Sequence, residues 1–494
     1  MSSTTSRTAT TRIANLDHVV AWDDSEQRHV YLDGADLVFK ANEVVHVGPG
    51  YAGPVDGTID GKGFMAIPGF VNVHSHPFSE PANKGLTEEY GSDKLGQSSL
   101  YEYLTVYGLN PEDAGPSTQV AMSELLKSGV TTITDLSMAR DGWVDQLAKT
   151  GIRAVVCPMM RQGVWFTKNG HTVDYAWDEK AGEKAFENSM KTIDEALKHP
   201  SGRIGGMAGP AQIDTCREGF FREALQEARK RGIPMQTHAC QAVVEFYEMV
   251  RRHGKTPIEW LEDIGVLGPD LVIGHGIFLN DHPQIHHPHG NDFERLRDSG
   301  AAVAHCPTVF ARRGMVMNSI GRYMNAGITV GIGTDTFPHN MVDEIRLVCY
   351  AARVFTGNYK MGTTRHAFEA ATIGGAKILR RPDLGRLAPG TKADFSLVDM
   401  SHPYMQPSHE PVRSLIYSAS ERAIRHVYVD GRQVVKDGKV LTIDVEAATA
   451  GLIEGQRKRL ATVSQRDWAG RDADGLSPPV YGKKDRLPQS RPVN

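Results

Sequence analysis

The sequence predicts an α/β fold, a (β/α)8 TIM-like barrel with a small β-sandwich domain built from the N- and C-terminal flanks. From about residue 67, short apolar runs alternate with longer amphipathic stretches, which is typical of parallel strands covered by helices. On both sides of that region, apolar and polar residues alternate and Asp-Gly pairs interrupt them, which indicates antiparallel hairpins. For the central region, an open doubly wound sheet is the alternative.

Eight apolar runs are candidate barrel strands, the number that a closed barrel of this type requires. They are AIPGFVNV (66–73), VTTITDL (130–136), IRAVVCP (152–158), RIGGMAG (203–209), IPMQTHA (233–239), LVIGH (271–275), AAVAHCP (301–307) and ITVGIGTD (328–335). Between them, STQVAMSELLKSG (117–129) and REGFFREALQEARKRG (217–232) have helical periodicity. Each ends on a glycine, a common helix stop.

These patterns divide the chain into four parts. Residues 1–66 are predicted to form the N-terminal part of the small β-domain, residues 67–386 the barrel, and residues 387–442 the C-terminal part of the small β-domain. Residues 443–494 are predicted to form a C-terminal helix followed by a Pro-rich polar tail.

Composition narrows the range of partners. The formal net charge of −4 is small for 494 residues and no basic stripe is present, so neither nucleic acid nor an anionic membrane surface is expected. No apolar stretch is long enough to span a bilayer, and the N-terminus lacks an apolar signal segment. The five cysteines are scattered and odd in number, which fits a reduced compartment. We therefore expect a cytoplasmic protein whose partner is a small molecule.

Polar side chains end several of the predicted strands. They are His74 and His76 at the first strand, His238 at the fifth, His275 at the sixth, His305 at the seventh and Asp335 at the eighth. Because the carboxyl ends of barrel strands meet at one rim, these groups are expected to converge. Imidazoles and a carboxylate are suitable ligands for a divalent transition ion, and three or four of them leave a position open for water.

A set of hydrogen-bonded core histidines is the structural alternative, since an H-x-H pair alone is a weak motif. Repetition at successive strand ends favours the metal site. For His305 a second interpretation stays open, because His-Cys-Pro is also suited to turning the chain. His171 and the cluster HPQIHHPHG (282–290) are predicted to lie in loops without a catalytic role.

A series of motifs follows one order along nearly the whole chain. They are PGFVNVHSH (68–76), GLTEE (85–89), SELLKSGVTTITD (123–135), THACQ (237–241), GHGIFLND (274–281), AHCPT (304–308), GIGTDTFPHN (331–340), ATIGGAKIL (371–379) and GRLAPGTKADFSLVD (385–399). With these motifs the sequence resembles the amidohydrolase superfamily, in its branch of aminohydrolases and chlorohydrolases that includes triazine hydrolases, guanine deaminase and adenosine-type deaminases.

The resemblance implies a ligand set and a catalytic group. The implied metal ligands are His74, His76, His238 and Asp335, and His275 is the implied catalytic histidine beside the bound water. Asp335 is also suited to accept the proton of that water. Binuclear members of the superfamily use a carboxylated lysine from the fourth strand, and RIGGMAGPAQIDTC (203–216) contains no lysine. We therefore expect one divalent ion, with zinc favoured and iron, cobalt or manganese as alternatives, in a homo-oligomer (dimer or higher) as is common in the family.

Departures from the family pattern concern the substrate. The deaminases have a glutamate three residues after the fifth-strand ligand, where it protonates a ring nitrogen. Here that residue is Gln241, which cannot transfer a proton. Ala211 replaces a fourth-strand histidine, with Gln212 next to it, and Val309-Phe310 replaces a Ser-Asn pair. The predicted substrate-binding residues are Gln241, His305, Gln212, Phe310 and His339.

Aromatic residues are candidate walls of an apolar pocket. The candidates are VWF (164–166), Phe310 and Phe337. Plain core packing is the alternative for all of them and is favoured for Phe166. Glu245, one helical turn beyond Gln241, is expected at a solvated surface position, with the rim of the pocket as the alternative.

The sequence therefore predicts a metal-dependent hydrolase that acts on a non-peptide C–N bond of a small heterocyclic substrate by metal-activated water, releasing an amine or ammonia. Because of Gln241, hydrolysis of an amide, urea, carbamate or carbon–halide bond is the near alternative. A non-catalytic metal-binding scaffold is the alternative from another class.

Overall fold

The molecule is described by a computed structural model, which covers residues 9–86, residue 95 and residues 100–482. The predicted GLTEE motif (85–89) lies mostly outside these residues, as does the end of the polar tail, 483–494.

Eight parallel strands form the barrel. They are Phe70–Ser75, Val130–Asp135, Arg153–Val156, Ile204–Gly206, Met235–Ala239, Leu271–His275, Ala302–His305 and Val330–Ile332, called here the first to eighth barrel strands. The first four pair with one another in chain order, and so do the last four. Parallel bridges from Ser75 to Asp335 and from Gln212 to His238 join the two sets. The sheet is therefore closed, and the predicted (β/α)8 barrel is confirmed.

The first predicted strand is divided in the structure. Phe64–Pro68 belongs to the small β-domain, and the barrel begins only at Phe70. Gly69 lies between the two strands, where an added Cβ would come within 2.1 Å of Thr131 Oγ1. The prediction of one continuous strand over 66–73 was wrong because the chain passes from one domain to the other at this glycine.

Helices cover the outside of the barrel. The α-helices are Leu100–Val106, Ala114–Lys127, Trp143–Thr150, Glu179–Leu197, Glu218–Arg231, Val243–His253, Pro257–Asp263, Asp292–Ser299, Pro307–Ala311, Ile320–Asn325, Met341–Thr356, Thr364–Glu369, Gly375–Ile378, Pro411–Ser414, Val445–Leu460, Val463–Arg466 and Ala473–Leu476. The glycine stop predicted at Gly232 is confirmed, since that residue is left-handed (φ 65°) and its N–H donates to the Ala228 carbonyl. None of the helices in the described ranges has the length and apolar content needed to cross a membrane.

The small β-domain is one nine-stranded sheet drawn from both ends of the chain. Its strands are Thr10–Asp23, Arg28–Lys40, Glu43–Gly48, Gly57–Asp60, Phe64–Pro68, Phe395–Asp399, Ile424–Val429, Arg432–Lys436 and Lys439–Val440. The Phe39 ring lies 5.6 Å from Phe395, with two strands between them in the sheet, and 6.0 Å from Tyr428, with three strands between them. The sheet therefore folds over a buried apolar core, as a β-sandwich does.

Asp-Gly pairs mark two of the hairpin turns, as predicted. Asp430-Gly431 and Asp437-Gly438 all have positive φ, the geometry that this dipeptide favours. Asp33-Gly34 differs, because it lies inside the strand Arg28–Lys40, where Asp33 pairs with His18 and Ala35 with Leu16 of the strand Thr10–Asp23. That pair therefore lies within paired strand and does not form a turn. The four-part division of the chain stays a prediction.

A buried ion cluster ties the barrel to the small β-domain. Arg153, on the third barrel strand, donates to both carboxylate oxygens of Asp394 at 2.8 and 3.1 Å and to Asp430 at 2.8 Å. The Arg153 side chain is only 2% exposed. Burial acts to lower the pKa of its guanidinium, but the two aspartates raise it above its usual value.

Arg153→Ala is expected to destabilise the protein by about 3–5 kcal/mol, because it leaves the buried Asp394 carboxylate and the largely buried Asp430 carboxylate without their partner. Urea unfolding and the thermal midpoint would measure the effect. Arg153→Lys is the matched control, since it keeps the charge but loses the bidentate geometry and should fall between wild type and Arg153→Ala. A loss of less than about 1 kcal/mol of unfolding free energy in Arg153→Ala would contradict this account.

Candidate metal centre and active-site cavity

Five of the six predicted strand-end groups meet at short distances. His76 Nε2 lies 3.2 Å from His238 Nε2 and 3.2 Å from Asp335 Oδ1. His74 Nε2 lies 3.6 Å from the same carboxylate oxygen, and His275 Nε2 lies 3.7 Å from Asp335 Oδ2. The strand-end histidines and Asp335 therefore form one cluster, with His305 left outside it.

Outer hydrogen bonds fix the orientation of the three imidazoles. His76 Nδ1–H donates to the Leu136 carbonyl at 2.8 Å, and His238 Nδ1–H donates to the Ala211 carbonyl at 2.6 Å. His74 Nδ1 contacts Gln236 Oε1, and Gln236 Nε2 donates to the Val73 carbonyl at 3.1 Å. Since each Nδ1 carries the proton, each Nε2 presents its lone pair to the cluster.

The donor set fits a divalent cation. The ligand atoms of His74, His76 and His238 all lie within 4.8 Å of one another. His74 Nε2 is buried and has no hydrogen-bond partner among the described residues. A buried lone pair without a partner is costly, and a bound cation would satisfy it.

Charge around Asp335 favours a cation at the same point. Burial acts to raise the pKa of the Asp335 carboxyl, but His275, His76 and His74 hold it well below its ordinary value. Burial lowers the pKa of His238 well below its usual value and lowers that of His275 to about 3. Burial acts to lower the pKa of His76 as well, but the Asp335 carboxylate raises it above its usual value. The cluster therefore places one carboxylate anion among imidazoles, of which His238 and His275 are neutral.

Backbone geometry holds the carboxylate over the first strand. Asp335 is left-handed (φ 56°), an uncommon conformation for a residue with a side chain. Its N–H donates to the His74 carbonyl at 2.9 Å, and its own carbonyl accepts from the His76 N–H at 2.9 Å. These two bonds fix Asp335 between the two histidines of the HSH sequence.

A cavity of about 200 Å³ opens above this cluster. Its polar floor consists of His76, His238, His275, Asp335, Gln212 and Gln241. Apolar walls come from Phe78, Leu100, Leu109, Leu136, Met138, Met159, Trp165, Val309 and Phe310. The Phe310 ring stands edge-on to His275 with the centroids 4.5 Å apart. The cavity therefore suits a flat, largely apolar molecule with polar atoms on one side.

Gln241 faces this cavity with spare hydrogen-bonding capacity. It is 5% exposed, and its Nε2 has no hydrogen bond of good geometry within the described chain. Behind it, Glu245 accepts from the N–H groups of Cys240 at 2.6 Å and Gln241 at 3.3 Å. Glu245 thereby holds the left-handed turn at Cys240 (φ 57°) from which Gln241 projects.

The surface position expected for Glu245 was wrong. The residue is fully buried in the first turn of Val243–His253, because its carboxylate is needed to bind the two backbone N–H groups. Burial, and then the nearby Asp214, raise its pKa well above the usual value.

Two predicted substrate-binding residues lie away from the cavity. His305 shares a strand face with Val303, which packs among the core residues under the helices, whereas Ala302 and Ala304 pack inside the barrel. Because side chains alternate along a strand, the His305 ring points away from the inside of the barrel, and His305 does not line the cavity. His339 lines a different cavity, on the far side of the loop after Asp335. Gln241, Gln212 and Phe310 do line the active-site cavity.

The aromatic residues predicted as possible cavity walls do not all line the cavity. Trp165 lines the cavity and its Nε1 donates to Asp214 at 2.9 Å. Neither Phe166 nor Phe337 is part of the lining. The Phe337 ring lies under the Arg312 guanidinium, 4.5 Å from ring centroid to Cζ.

Several residues of the site are not among the predicted ones. Gln236 lies two residues before His238, so strand alternation signals that both point to the same side. Cys306 brings its Sγ within 4.8 Å of the ligand atoms of His74, His275 and Asp335. Glu80, Tyr107, Arg161 and Arg313 line the cavity from loops, where no periodic signal identifies them.

Gln236→Leu is expected to weaken metal binding by about 10- to 100-fold, because His74 Nδ1 loses the acceptor that orients its ring. Competition with a chelator of known affinity would measure the change. Gln236→Glu keeps an acceptor oxygen and serves as the control. Equal metal affinity in Gln236→Leu and wild type would show that Gln236 does not orient His74.

Known proteins resemble this chain in sequence and in fold. The model of the amidohydrolase family matches residues 65–434. The chain is 30% identical over 424 residues to a 5-methylthioadenosine/S-adenosylhomocysteine deaminase of Halobacterium salinarum, covering 84% of this chain and 91% of that protein. It is 28% identical over 421 residues to a 5'-deoxyadenosine deaminase of Methanosarcina acetivorans, covering 84% and 91%.

Two solved structures have a similar fold. A triazine hydrolase from Arthrobacter aurescens superposes with a TM-score of 0.76 at 23% identity, over 91% of this chain and 99% of that one. An adenosine deaminase from Xanthomonas campestris, solved with bound zinc, gives a TM-score of 0.77 at 20% identity over 91% and 98%.

Proposed function

We propose, because this chain belongs to the amidohydrolase family, that it hydrolyses a carbon–nitrogen bond of a small heterocyclic substrate with the help of one divalent metal ion, and releases ammonia or an amine. Membership of the family makes the chain a hydrolytic enzyme and sets aside the non-catalytic scaffold. The observation that carries the proposal is the convergence of three Nε2 lone pairs and one carboxylate on the floor of a cavity lined by apolar side chains.

We assign the metal to His74, His76, His238 and Asp335. Their orientation by outer hydrogen bonds and the partnerless Nε2 of His74 support this assignment. Zinc is favoured, since imidazole and carboxylate ligands suit it, and iron, cobalt or manganese are alternatives. When bound, such an ion makes water a nucleophile near neutral pH by lowering its pKa from about 15.7 to about 7.

The remaining steps fall to side chains of the cavity floor. Asp335 is placed to accept a proton from the attacking water, since Oδ2 faces the neutral imidazole of His275 at 3.7 Å. His275 is placed to pass that proton to the leaving nitrogen or to stabilise developing negative charge. Gln212 and Gln241 are placed to hydrogen-bond the polar edge of the substrate, and Phe310 and Trp165 to hold its ring.

The substrate that we favour is an aminated N-heterocycle, including purine nucleosides of the 5'-modified adenosine type. Relatives named as deaminases of such nucleosides support this class. An aromatic ring of this kind has one flat apolar body and several ring nitrogens, which matches apolar walls over a floor with two neutral amides.

A second function is favoured by one observation. Gln241 cannot act as an acid, so ring protonation by the residue at this position is not available. A substrate that is already electrophilic needs no such step, which favours hydrolysis of an amide, urea, carbamate or ring–halide bond.

The test of the function is a leaving-group screen with the zinc-loaded enzyme. Aminated purines, pyrimidines and triazines would be assayed for ammonia, and matched amides, ureas, carbamates and ring halides for amine or halide release. Turnover confined to the aminated rings supports the favoured function. Turnover confined to the second group supports the alternative, and no turnover on either group contradicts both.

Gln241→Glu is expected to raise kcat/KM on aminated rings by about 10²-fold, because it supplies the general acid that the wild type lacks at this point of the cavity. The gain should be absent on ring halides, which need no proton on the ring. Gln241→Leu, which removes the hydrogen bond without adding an acid, is the control. Efficient wild-type deamination with an acidic limb in its pH profile that persists in Glu245→Gln would show that another residue supplies the acid.

We propose that the protein is a homo-oligomer, because oligomers are common in the family. We also propose a cytoplasmic location, which the five free and buried cysteines support. Light scattering on the eluted protein would test the assembly. We also propose the four-part division of the chain. It is supported by the strand Phe64–Pro68, which pairs with Phe395–Asp399 of the C-terminal flank.

A further inference from the structure

The end of the chain packs against one wall of the active-site cavity. That wall is the helix Leu100–Val106, called here the wall helix, together with the three residues after it. Residues 463–477, called here the C-terminal segment, follow the C-terminal helix Val445–Leu460 and contact this wall from outside the cavity. The residues of the wall that line the cavity are Leu100, Tyr107, Gly108 and Leu109.

A buried carboxylate joins the wall helix to the C-terminal segment. The Glu102 side chain is 0% exposed, and its Oε1 accepts from Trp468 Nε1 at 2.6 Å and from the Arg471 guanidinium at 3.1 Å. Arg471 is itself fixed within the segment, because it donates to both carboxylate oxygens of Asp467 at 2.7 and 3.0 Å. Breaking hydrogen bonds to a buried charge is costly, so the helix and the segment are expected to keep one relative position.

Apolar side chains extend the same contact. Val106 and Tyr107 form a buried cluster with Val463 and Leu476 of the C-terminal segment. The Arg459 guanidinium lies 5.4 Å from the centre of the Tyr107 ring, within the range of a cation–π contact. Since Tyr107 also lines the cavity, one side chain contacts both the C-terminal segment and the space for the substrate.

The wall helix is also held from the cavity side. The Tyr101 ring stands edge-on to that of Trp165, with the centroids 4.9 Å apart. Trp165 lines the cavity, and its Nε1 donates to Asp214 at 2.9 Å. The position of the wall helix therefore depends on two neighbouring residues, Tyr101 towards the barrel and Glu102 towards the C-terminal segment.

The C-terminal helix binds a second part of the lining, the turn Glu80–Asn83. Gln456 Nε2 donates to the Ala82 carbonyl, and Arg459 donates to Asn83 Oδ1, each at 2.6 Å. The first and last residues of this turn line the active-site cavity. The end of the chain thus contacts two separate parts of the cavity lining from behind.

We propose that the C-terminal segment is a specificity-determining part of this enzyme, which through Glu102 positions the wall helix and thereby limits the substituents that the substrate ring can carry. All of residues 463–477 are described and none of them lines the cavity, so they act by positioning. The inference rests on the proposed function, because it concerns the fit of the heterocyclic substrate. The barrel strands hold the metal centre, so loss of the bonds to Glu102 should leave its geometry intact.

The first test measures the wall helix directly, by hydrogen–deuterium exchange of the zinc-loaded full-length enzyme. In Arg471→Met we expect the amides of residues 100–109 to exchange about tenfold faster than in wild type, the effect of losing a hydrogen bond to a charged group. Arg457→Met is the matched control. It removes an arginine that pairs with Glu454 on the exposed face of the C-terminal helix, and exchange over 100–109 should stay at the wild-type rate.

The second test measures substrate range with pairs of aminated rings that differ only in one bulky substituent. In Arg471→Met the ratio of KM for the bulky ring to KM for the small ring should fall by about threefold or more, with kcat on the small ring within about twofold of wild type. Glu102→Leu should give the same result. Glu102→Gln keeps an acceptor oxygen for Trp468 and Arg471 and should stay close to wild type in both tests.

Exchange over residues 100–109 at the wild-type rate in Arg471→Met would overturn the proposal, whether or not any ring is turned over. Faster exchange with an unchanged KM ratio would also overturn it, because the contact would then serve stability alone. Faster exchange spread over the whole barrel would do the same, since it indicates general destabilisation. If no ring is turned over, faster exchange confined to residues 100–109 supports the positioning of the wall and contradicts only the proposed function.

Discussion

His238→Ala is expected to remove both the metal and the activity while the barrel stays folded. His238 lies on the fifth strand with its Nε2 3.2 Å from that of His76, so its loss opens the ligand set at the centre. Removal of a ligand should cost more than the about 10- to 100-fold that loss of an outer hydrogen-bond partner costs. Metal content after gel filtration and turnover at saturating zinc would measure the two effects.

Two comparisons give the His238 experiment its controls. His305→Ala removes a strand-end histidine outside the cluster and should leave the metal content at the wild-type value. His238→Cys offers a different zinc ligand and should recover part of the metal content. Full metal content in His238→Ala would show that the ion is held elsewhere.

His275→Asn is expected to keep the metal and lose about 10²- to 10⁴-fold in kcat, the range of general acid–base and oxyanion roles. The His275 ring packs between His74, at 4.6 Å, and Phe310, at 4.5 Å, and its Nδ1 has no hydrogen-bond partner in the described ranges. His275 lies beside Asp335 Oδ2, whereas His74 and His76 lie beside Oδ1, and this difference distinguishes His275 from the proposed ligands. Metal content and single-turnover rate would be measured together.

Phe310→Leu is the matched control for the His275 variant, because it disturbs the same packing without touching a nitrogen. It should change KM more than kcat. Loss of metal in His275→Asn would instead make His275 a ligand, and an unchanged kcat would remove it from the chemistry.

The barrel and the core of the site could be predicted because both depend on local patterns. A parallel strand covered by helices is apolar on both sides, so a histidine or aspartate at its end stands out. His74, His76, His238, His275 and Asp335 all stood out in this way, and the structure brings them together. His305 ends a strand as well, but only the three-dimensional packing of Ala304 inside the barrel shows that its neighbour points outwards.

What the sequence does not encode locally could not be predicted. The residues after His76 that line the cavity lie in turns. The position of these turns depends on the C-terminal helix, because Gln456 donates to the Ala82 carbonyl at 2.6 Å, 374 positions away in the sequence. Glu245 looks like a surface residue in the helical pattern, and only the turn at Cys240 makes its burial favourable. Gly69 is predicted to continue one strand because nothing in the neighbouring sequence indicates the change of domain.

The turn Glu80–Asn83 has a consequence for altering this enzyme. At this turn, one short stretch of backbone separates the active-site cavity from the cavity that His339 lines. Gln456 of the C-terminal helix donates a hydrogen bond to this stretch. Mutant libraries that vary Pro81, Val120 and Leu452 would therefore change the shape of the active-site cavity indirectly, without replacing any residue that lines it. Selection for new substrates can begin at those positions and leave the metal-binding histidines as they are.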